Sequence, residues 1–257
     1  MIKLVYAIAR RADVPLGDFY DYWLRSHGPR VKGHAEAIGA KRYVQSHTLD
    51  TPANEAMRES RGMLPPLPGI TEVWWDSLAD FQQALSDPRG QAAMADLAED
   101  EAKFIDTANS QIFLTREHPI FDFAGGAKLG PDVGKVTYLL TRRDGMTVED
   151  CHATWLADHG PLVASFARAS RMARYVQSHT IAPEINATIG TSRGLAAPLD
   201  GITEVWIKPG DEASPDPQTA RRAGPALIED ERRFVEMGRS RCFITREHEI
   251  FDRRASA

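Results

Sequence analysis

The heptapeptide Arg42-Tyr43-Val44-Gln45-Ser46-His47-Thr48 occurs twice in this chain, the second time unchanged at residues 174–180. From His47 to His179 the spacing is 132 residues, and the same spacing carries Trp23, His27, Gly28 and Pro29 onto Trp155, His159, Gly160 and Pro161. It also carries Gly69-Ile70-Thr71-Glu72-Val73-Trp74 onto residues 201–206. Thr115-Arg116-Glu117-His118 returns as Thr245-Arg246-Glu247-His248 at a spacing of 130. A period this long marks a duplicated domain rather than a solenoid unit. The chain divides into a first copy at 1–122, a glycine-rich linker at 123–134 and a second copy at 135–252. Each copy, of about 120 residues, can bury a core of its own.

The net charge is −5, with Lys and Arg scattered rather than striped, so no nucleic-acid partner is expected. The two cysteines, Cys151 and Cys242, match Phe19 and Ile112 in the first copy. They read as small core residues, not as a disulfide framework or a metal site. No apolar stretch approaches the roughly 20 residues needed to span a bilayer, and no signal segment is evident. The expectation is a cytoplasmic protein with no membrane partner.

Residues 2–9 read as a central strand with Leu4, Tyr6 and Ile8 on one face. A helix follows, with Leu16, Phe19, Trp23 and His27 on one stripe, matched by Val148, Cys151, Trp155 and His159. Gly28-Pro29 is expected to break it and to open a short helix over 29–38. The heptapeptide is the second strand, with Tyr43, Gln45 and His47 on one face and Val44, Ser46 and Thr48 on the other. Residues 49–68 read as a long loop, although Ser60-Arg61-Gly62 recurs as Ser192-Arg193-Gly194. The third strand, 70–75, places Glu72 and Trp74 together, and the fourth runs over 111–115. A helical region lies between them, while its counterpart at 208–225 reads as less ordered. Each half is thus β-α-β-β-α-β, the order of a ferredoxin-like unit with helices on one face of an antiparallel sheet. The bare face needs a cover, and the other copy's sheet is the nearest one.

Taken together, the Trp-x-x-x-His-Gly-Pro run, the duplicated heptapeptide, the Gly-Ile-Thr-Glu-Val-Trp strand and the closing Glu-His-x-Ile-Phe-Asp resemble the EthD domain family. The resemblance spans nearly all of both halves. It implies an α+β fold in which two ferredoxin-like domains form a dimeric α+β barrel within one chain, a monomeric pseudo-dimer. The outer surfaces leave a further homodimer open. Barrel relatives include polyketide cyclases, lactone isomerases and cofactor-independent monooxygenases, and some EthD-like proteins look like dehydratases.

If the second and third strands are neighbours, Tyr43, Gln45, His47, Glu72 and Trp74 could share a face, with His27 meeting them from the helix. Two histidines and a carboxylate in an aromatic cavity suit acid–base work near neutrality. The expected roles are His47 and His179 as general base, His27 and His159 as acid or oxyanion donor, and Glu72 and Glu204 as orienters. Substrate contacts are expected from Tyr43, Gln45, Arg61 and Trp74, and from Tyr175, Gln177, Arg193 and Trp206. The same residues have a bland reading: buried polar groups satisfying one another, a His capping a helix end, a solvated loop arginine. His118 and His248, with Asp122 and Asp252, read as tying each tail down across the other half. His27, His47 and Glu72 could in principle hold non-haem iron, but no local ligand spacing supports it, so no metal and no cofactor are expected. Nor is there a phosphate loop, a GxSxG elbow or a cysteine present in both halves. The expected function is a cofactor-free dehydratase, isomerase or cyclase acting on a small apolar or aromatic, polyketide-like carbonyl compound. The alternatives are a small-molecule-binding accessory protein of an oxidative degradation pathway and an oxidoreductase-linked protein.

Overall fold

In the computed structural model, which describes residues 1–130, 132–208 and 214–254, eight strands close into one antiparallel barrel. The first half contributes β1 (Ile2–Ile8), β2 (Arg42–Thr48), β3 (Gly69–Trp75) and β4 (Gln111–Asp122). Its helices are α1 (Leu16–Tyr22), α2 (Gly28–His34), α3 (Pro52–Arg61), α4 (Leu78–Ser86) and α5 (Pro88–Glu101). The second half contributes strands β5 (Gly134–Leu140), β6 (Met172–Thr180), β7 (Gly201–Ile207) and β8 (Arg241–Asp252). Its helices are α6 (Val148–Thr154), α7 (Gly160–Phe166), α8 (Pro183–Arg193) and α9 (Pro217–Glu231). No helix among the described residues is long and apolar enough to cross a membrane.

Around the barrel the order is β1-β3-β2-β8-β5-β7-β6-β4, so each half supplies four adjacent strands in the same sequence. The halves join edge to edge, β2 with β8 and β4 with β6. Every edge is therefore paired, which removes the unpaired backbone groups that two stacked open sheets would keep. The seams explain why β4 and β8 outrun the expected fourth strand. Residues 116–122 carry β4 onward to pair with β6, and His118 lands opposite Gln177. In the same way His248 lands opposite Gln45.

Side chains alternate between the barrel interior and the helix-covered outside. Val5, Ala7, Ile70 and Phe113 meet Leu139, Ile202 and Phe243 in an interior core shared by both halves. On the helix side, Tyr6, Ile8 and Ile112 pack with Phe19, Trp23 and Phe104. Cys151 and Cys242 are core residues of the matching second-half cluster, and burial pushes both thiols up to about 12.

Three expectations change. Gly28-Pro29 does not break the helix; Leu16 to His34 is continuous through a π-helical turn, Trp23–His27. Pro29 follows directly on the π-helical turn, whose wider winding makes room for its ring and missing N–H. The loop at 49–68 contains α3. Thr51 caps it, its hydroxyl accepting from the Ala53 N–H, Pro52 starts it, and Gly62 at φ 70° ends it in the left-handed region. In the region 208–225, α9 begins at Pro217 under an Asp216 side-chain cap, while residues 209–213 lie outside the described ones.

Candidate active site

Each half holds a cavity between the outer face of its strands and its helices. The second-half cavity, about 170 Å³, is lined by Tyr138, His159, Tyr175, Thr203 and Glu231 among apolar walls. The first-half cavity, about 80 Å³, is lined by the matching Tyr6, His27, Tyr43, Thr71 and Glu101. Each also takes residues from the other half: Arg61, with Met57, enters the second cavity and Arg193 the first.

The crossing has a local cause. Asn54, buried near the start of α3, accepts from the Ile244 N–H of β8 at 2.8 Å and donates to the Leu49 carbonyl at 2.7 Å. Asn186 does the same for α8 on β4, accepting from Leu114 N–H at 2.9 Å. Each helix is thus fixed on a strand of the opposite half. Its last residue, ahead of a left-handed glycine, is the arginine. That accounts for the repeated Ser-Arg-Gly. Arg61 grips Glu231 with Nε at 2.8 Å and a second nitrogen at 3.0 Å, a fork matched to a carboxylate. Arg193 pairs with Glu101 through one nitrogen. These arginines are half-buried partners of a glutamate, on helices rather than in a solvated loop.

The π-helical turn sets His27. Its Nδ1 lies 2.9 Å from Asp100 Oδ2, and its Nε2 lies 4.0 Å from Glu101 Oε1. Asp100 also accepts from the Tyr22 hydroxyl at 2.6 Å and from Lys103 at 3.0 Å. Burial works to raise this carboxyl, but hydrogen bonds from Tyr22, His27 and Lys103 outweigh it and hold it at about 2. An ionised Asp100 fixes the proton of a neutral His27 on Nδ1 and leaves Nε2 as an acceptor on the cavity side. His159 repeats the arrangement with Asp230 at 2.8 Å. The Tyr6 hydroxyl, buried at the first cavity, has no partner, and the Tyr138 hydroxyl has only Met237 Sδ at 3.4 Å and Glu231 at 3.5 Å.

His47 stands elsewhere. Its ring stacks on Trp23 at 4.5 Å and Tyr20 at 4.9 Å, with His248 at 4.3 Å, outside the residues that line the cavity. The Trp23 carbonyl can only accept, so the Gln45 amide nitrogen faces it at 2.7 Å and also donates to the Tyr43 hydroxyl at 3.0 Å. The Gln45 oxygen then faces His47 Nε2 at 3.1 Å, which must carry the proton. Burial, with His248 alongside, pushes His47 down to about 3, so it is neutral. His179, Gln177 and Tyr175 repeat the chain at 3.0 and 2.7 Å, with His179 also near 3 through burial and its neighbours His152 and His118. His47 and His179 thus hold Gln45 and Gln177, which hold the cavity tyrosines. They do not face the cavity as a base would.

Glu72, Glu204, Trp74 and Trp206 correct the expected Tyr–Gln–His–Glu–Trp cluster. The register sets Val44 opposite Glu72 and Arg42 opposite Trp74. Glu72 and Trp74 therefore point into the barrel, away from Tyr43, Gln45 and His47. Inside, Lys3 reaches Glu72 at 3.1 Å and also bonds Glu204, while Lys135 reaches them at 2.5 and 2.7 Å. Burial alone would raise Glu72, but Lys135 and Lys3 hold it far below the ordinary carboxylate range. Glu204 is pushed up to about 7, by burial first and then by Glu72. Glu72, Glu204 and Glu247 converge as a cation site might, but the two ammonium groups already sit among them. At the barrel end Arg42 covers the Trp74 ring at 4.6 Å and Arg174 the Trp206 ring at 5.4 Å.

Sequence reasoning missed Asp100, Asp230, Glu101, Glu231, Tyr6, Tyr138 and the two asparagines. The available signal was the duplication itself, since each of these residues recurs in the other copy.

No curated protein matches the chain. Among solved structures it resembles an anthrone oxidase-like protein, with a TM-score of 0.53 and 12% identity over 100% of this chain and 96% of that one. It also resembles a "putative monooxygenase" from Lactobacillus acidophilus NCFM, at a TM-score of 0.47 and 11% identity over 97% and 94% of the two chains. The first likeness speaks to fold alone, and the second is too weak to bear on it. The EthD domain family matches residues 11–108 and 143–238, one match in each half around its π-turn histidine and its Asp-Glu pair. With most of its length inside those two matches, the chain belongs to the EthD family.

Proposed function

We propose that this protein is an acid–base enzyme that removes a proton from carbon next to the carbonyl of a small, largely apolar or aromatic, polyketide-like compound. The reaction is of the dehydratase, isomerase or cyclase type. The observation behind this reading is the His–Asp dyad, with its free Nε2 edge on an apolar cavity that also holds a Glu–Arg pair. In this reading His27 or His159 is the base, Asp100 or Asp230 stabilises the imidazolium formed, and the Tyr6 or Tyr138 hydroxyl meets the developing enolate oxygen. The proton held on Nε2 then returns to another carbon, giving an isomer, or to a departing hydroxyl, giving an alkene and water. Tyr43, Gln45 and His47, with Tyr175, Gln177 and His179, are positioning residues. We read each half as a ferredoxin-like unit and the chain as an intrachain dimeric barrel, supported by the strand order shared by the halves.

An accessory binding protein would need the cavities but not the dyads. On the enzymatic reading, the double variant His27→Gln with His159→Gln loses about 10²–10⁴-fold in turnover while ligand binding stays within a few fold. Unchanged turnover removes the dyads from the mechanism. Binding by the wild-type chain without turnover of any carbonyl compound favours the accessory role.

A further inference from the structure

We infer that the two cavities are not equivalent: a ring-sized aryl carbonyl ligand enters the second-half cavity alone, one per chain, because Trp75 fills the corresponding space in the first half. The inference rests on the reading of these cavities as ligand sites, but not on any reaction in them.

The volumes are about 170 Å³ and about 80 Å³. A dry cavity of roughly 150 Å³ takes a benzene ring, whereas half of that has room for only a few waters. The polar groups are the same in both, so the difference lies in the walls. Position for position, Trp75 is replaced by Ile207, Met94 by Gly224, Ile112 by Cys242, Ile105 by Val235 and Leu4 by Val136. Against these, Met172 in place of Ala40 takes back part of the room. Trp75 is the largest side chain among those replaced, and it is locked. Its Nε1 donates to the Ile38 carbonyl at 2.7 Å, and Phe81 of α4 meets its ring edge-on at 4.9 Å. Among the described residues the second half has no helix corresponding to α4, so nothing equivalent braces Ile207. A ring entering the first cavity would have to expel an indole that is 2% exposed and hydrogen-bonded. A ring entering the second would meet Val136, Val205, Ile207 and Leu227, with Tyr138 and Arg61 at hand for its carbonyl oxygen.

The test uses 4-hydroxyacetophenone as probe on the full chain, with stoichiometry from equilibrium dialysis at millimolar probe. The expected values are one bound molecule for the wild-type chain, none for Ile207→Trp and two for Trp75→Ile. Two molecules or none on the wild-type chain overturns the inference, as does one molecule on both variants. Should a variant fail to fold, imidazole NMR of the wild-type chain gives the answer: the probe shifts the His159 ring signals and leaves those of His27 in place. Shifts at His27, or at neither ring, overturn the inference. Failure of the acid–base reading looks different, since a chain that binds one probe molecule without turning over any carbonyl compound leaves this stoichiometry standing.

Discussion

The residues that look most chemical in the sequence divide by what they touch. His27 and His159 touch an aspartate and a cavity; His47 and His179 touch aromatic rings and a glutamine. Alternation told correctly that Tyr43, Gln45 and His47 share a face. It could not tell which face of β3 matches it, because a one-residue shift of register turns every side chain over. Asp100 and Asp230 were illegible for another reason. They sit at the ends of long helical stretches, and helical periodicity alone does not say which acid will meet a histidine seventy-odd residues earlier. The buried histidines have a consequence for acid stability. Each has a folded value near 3 against about 6.5 when unfolded. Between those values the unfolded chain binds more protons, so this contribution is whole above about pH 6.5 and falls as pH drops toward 3. Glu204 acts oppositely: its raised value gives a contribution that is whole below about pH 4.5 and is lost as pH rises toward 7. The pair is isolated by subtracting the stability curve of His47→Gln with His179→Gln from that of wild type. The difference should rise with pH between about 3 and 6.5. A flat difference would mean that the two imidazoles titrate normally in the folded chain.

At the scale of elements, the strands were legible and the ends of the helices were not. β1, β2 and β3 announce themselves by alternation, and the duplication confirms each by repeating it. α3 was hidden because Pro52 and a polar surface resemble a loop, although Thr51, Pro52 and Gly62 are in fact a start and a stop signal. The π-helical turn has no sequence signature that separates it from a broken helix, yet it aims His27 and His159. The repeated glycine that opens β3 and β7 has a plain reason. A Cβ on Gly201 would stand 2.6 Å from the Ser178 carbonyl oxygen and 2.6 Å from the Trp155 ring. Gly201→Ala should therefore cost about 1–3 kcal/mol through overpacking, visible as a lower urea midpoint with an unchanged slope. A wild-type midpoint would show that the Ser178 carbonyl and the Trp155 ring can both yield.

For the whole molecule, the family resemblance implied a barrel, but a pattern reading that ended the fourth strand at Thr115 could not show how its two halves are joined. Extension of β4 and β8 across the seams makes one barrel of two halves, and the interior is held by charges from both. Lys3 and Glu72 come from the first half, Lys135 and Glu204 from the second. Such a buried network is not in itself strong evidence for stability, but breaking it by removing one partner is costly. Lys3→Met should lower the unfolding free energy by about 3–5 kcal/mol in urea titrations at neutral pH. A loss below about 1 kcal/mol would mean that water or protonation relieves Glu72 and Glu204 without Lys3. The crossed arginines add a functional coupling, because neither cavity is complete without the other half.

The central claim is that a histidine held by an aspartate takes a proton from carbon in its cavity, His159 for a ring-sized ligand. Deuterium uptake from D₂O into the methyl group next to the carbonyl of 4-hydroxyacetophenone, followed by mass spectrometry, reads that step whatever the final product. The wild-type chain should accelerate uptake over buffer, and the double variant His27→Gln with His159→Gln should lose about 10²–10⁴-fold of that acceleration. Uptake no faster than in buffer, or an unchanged rate in the double variant, would contradict the account.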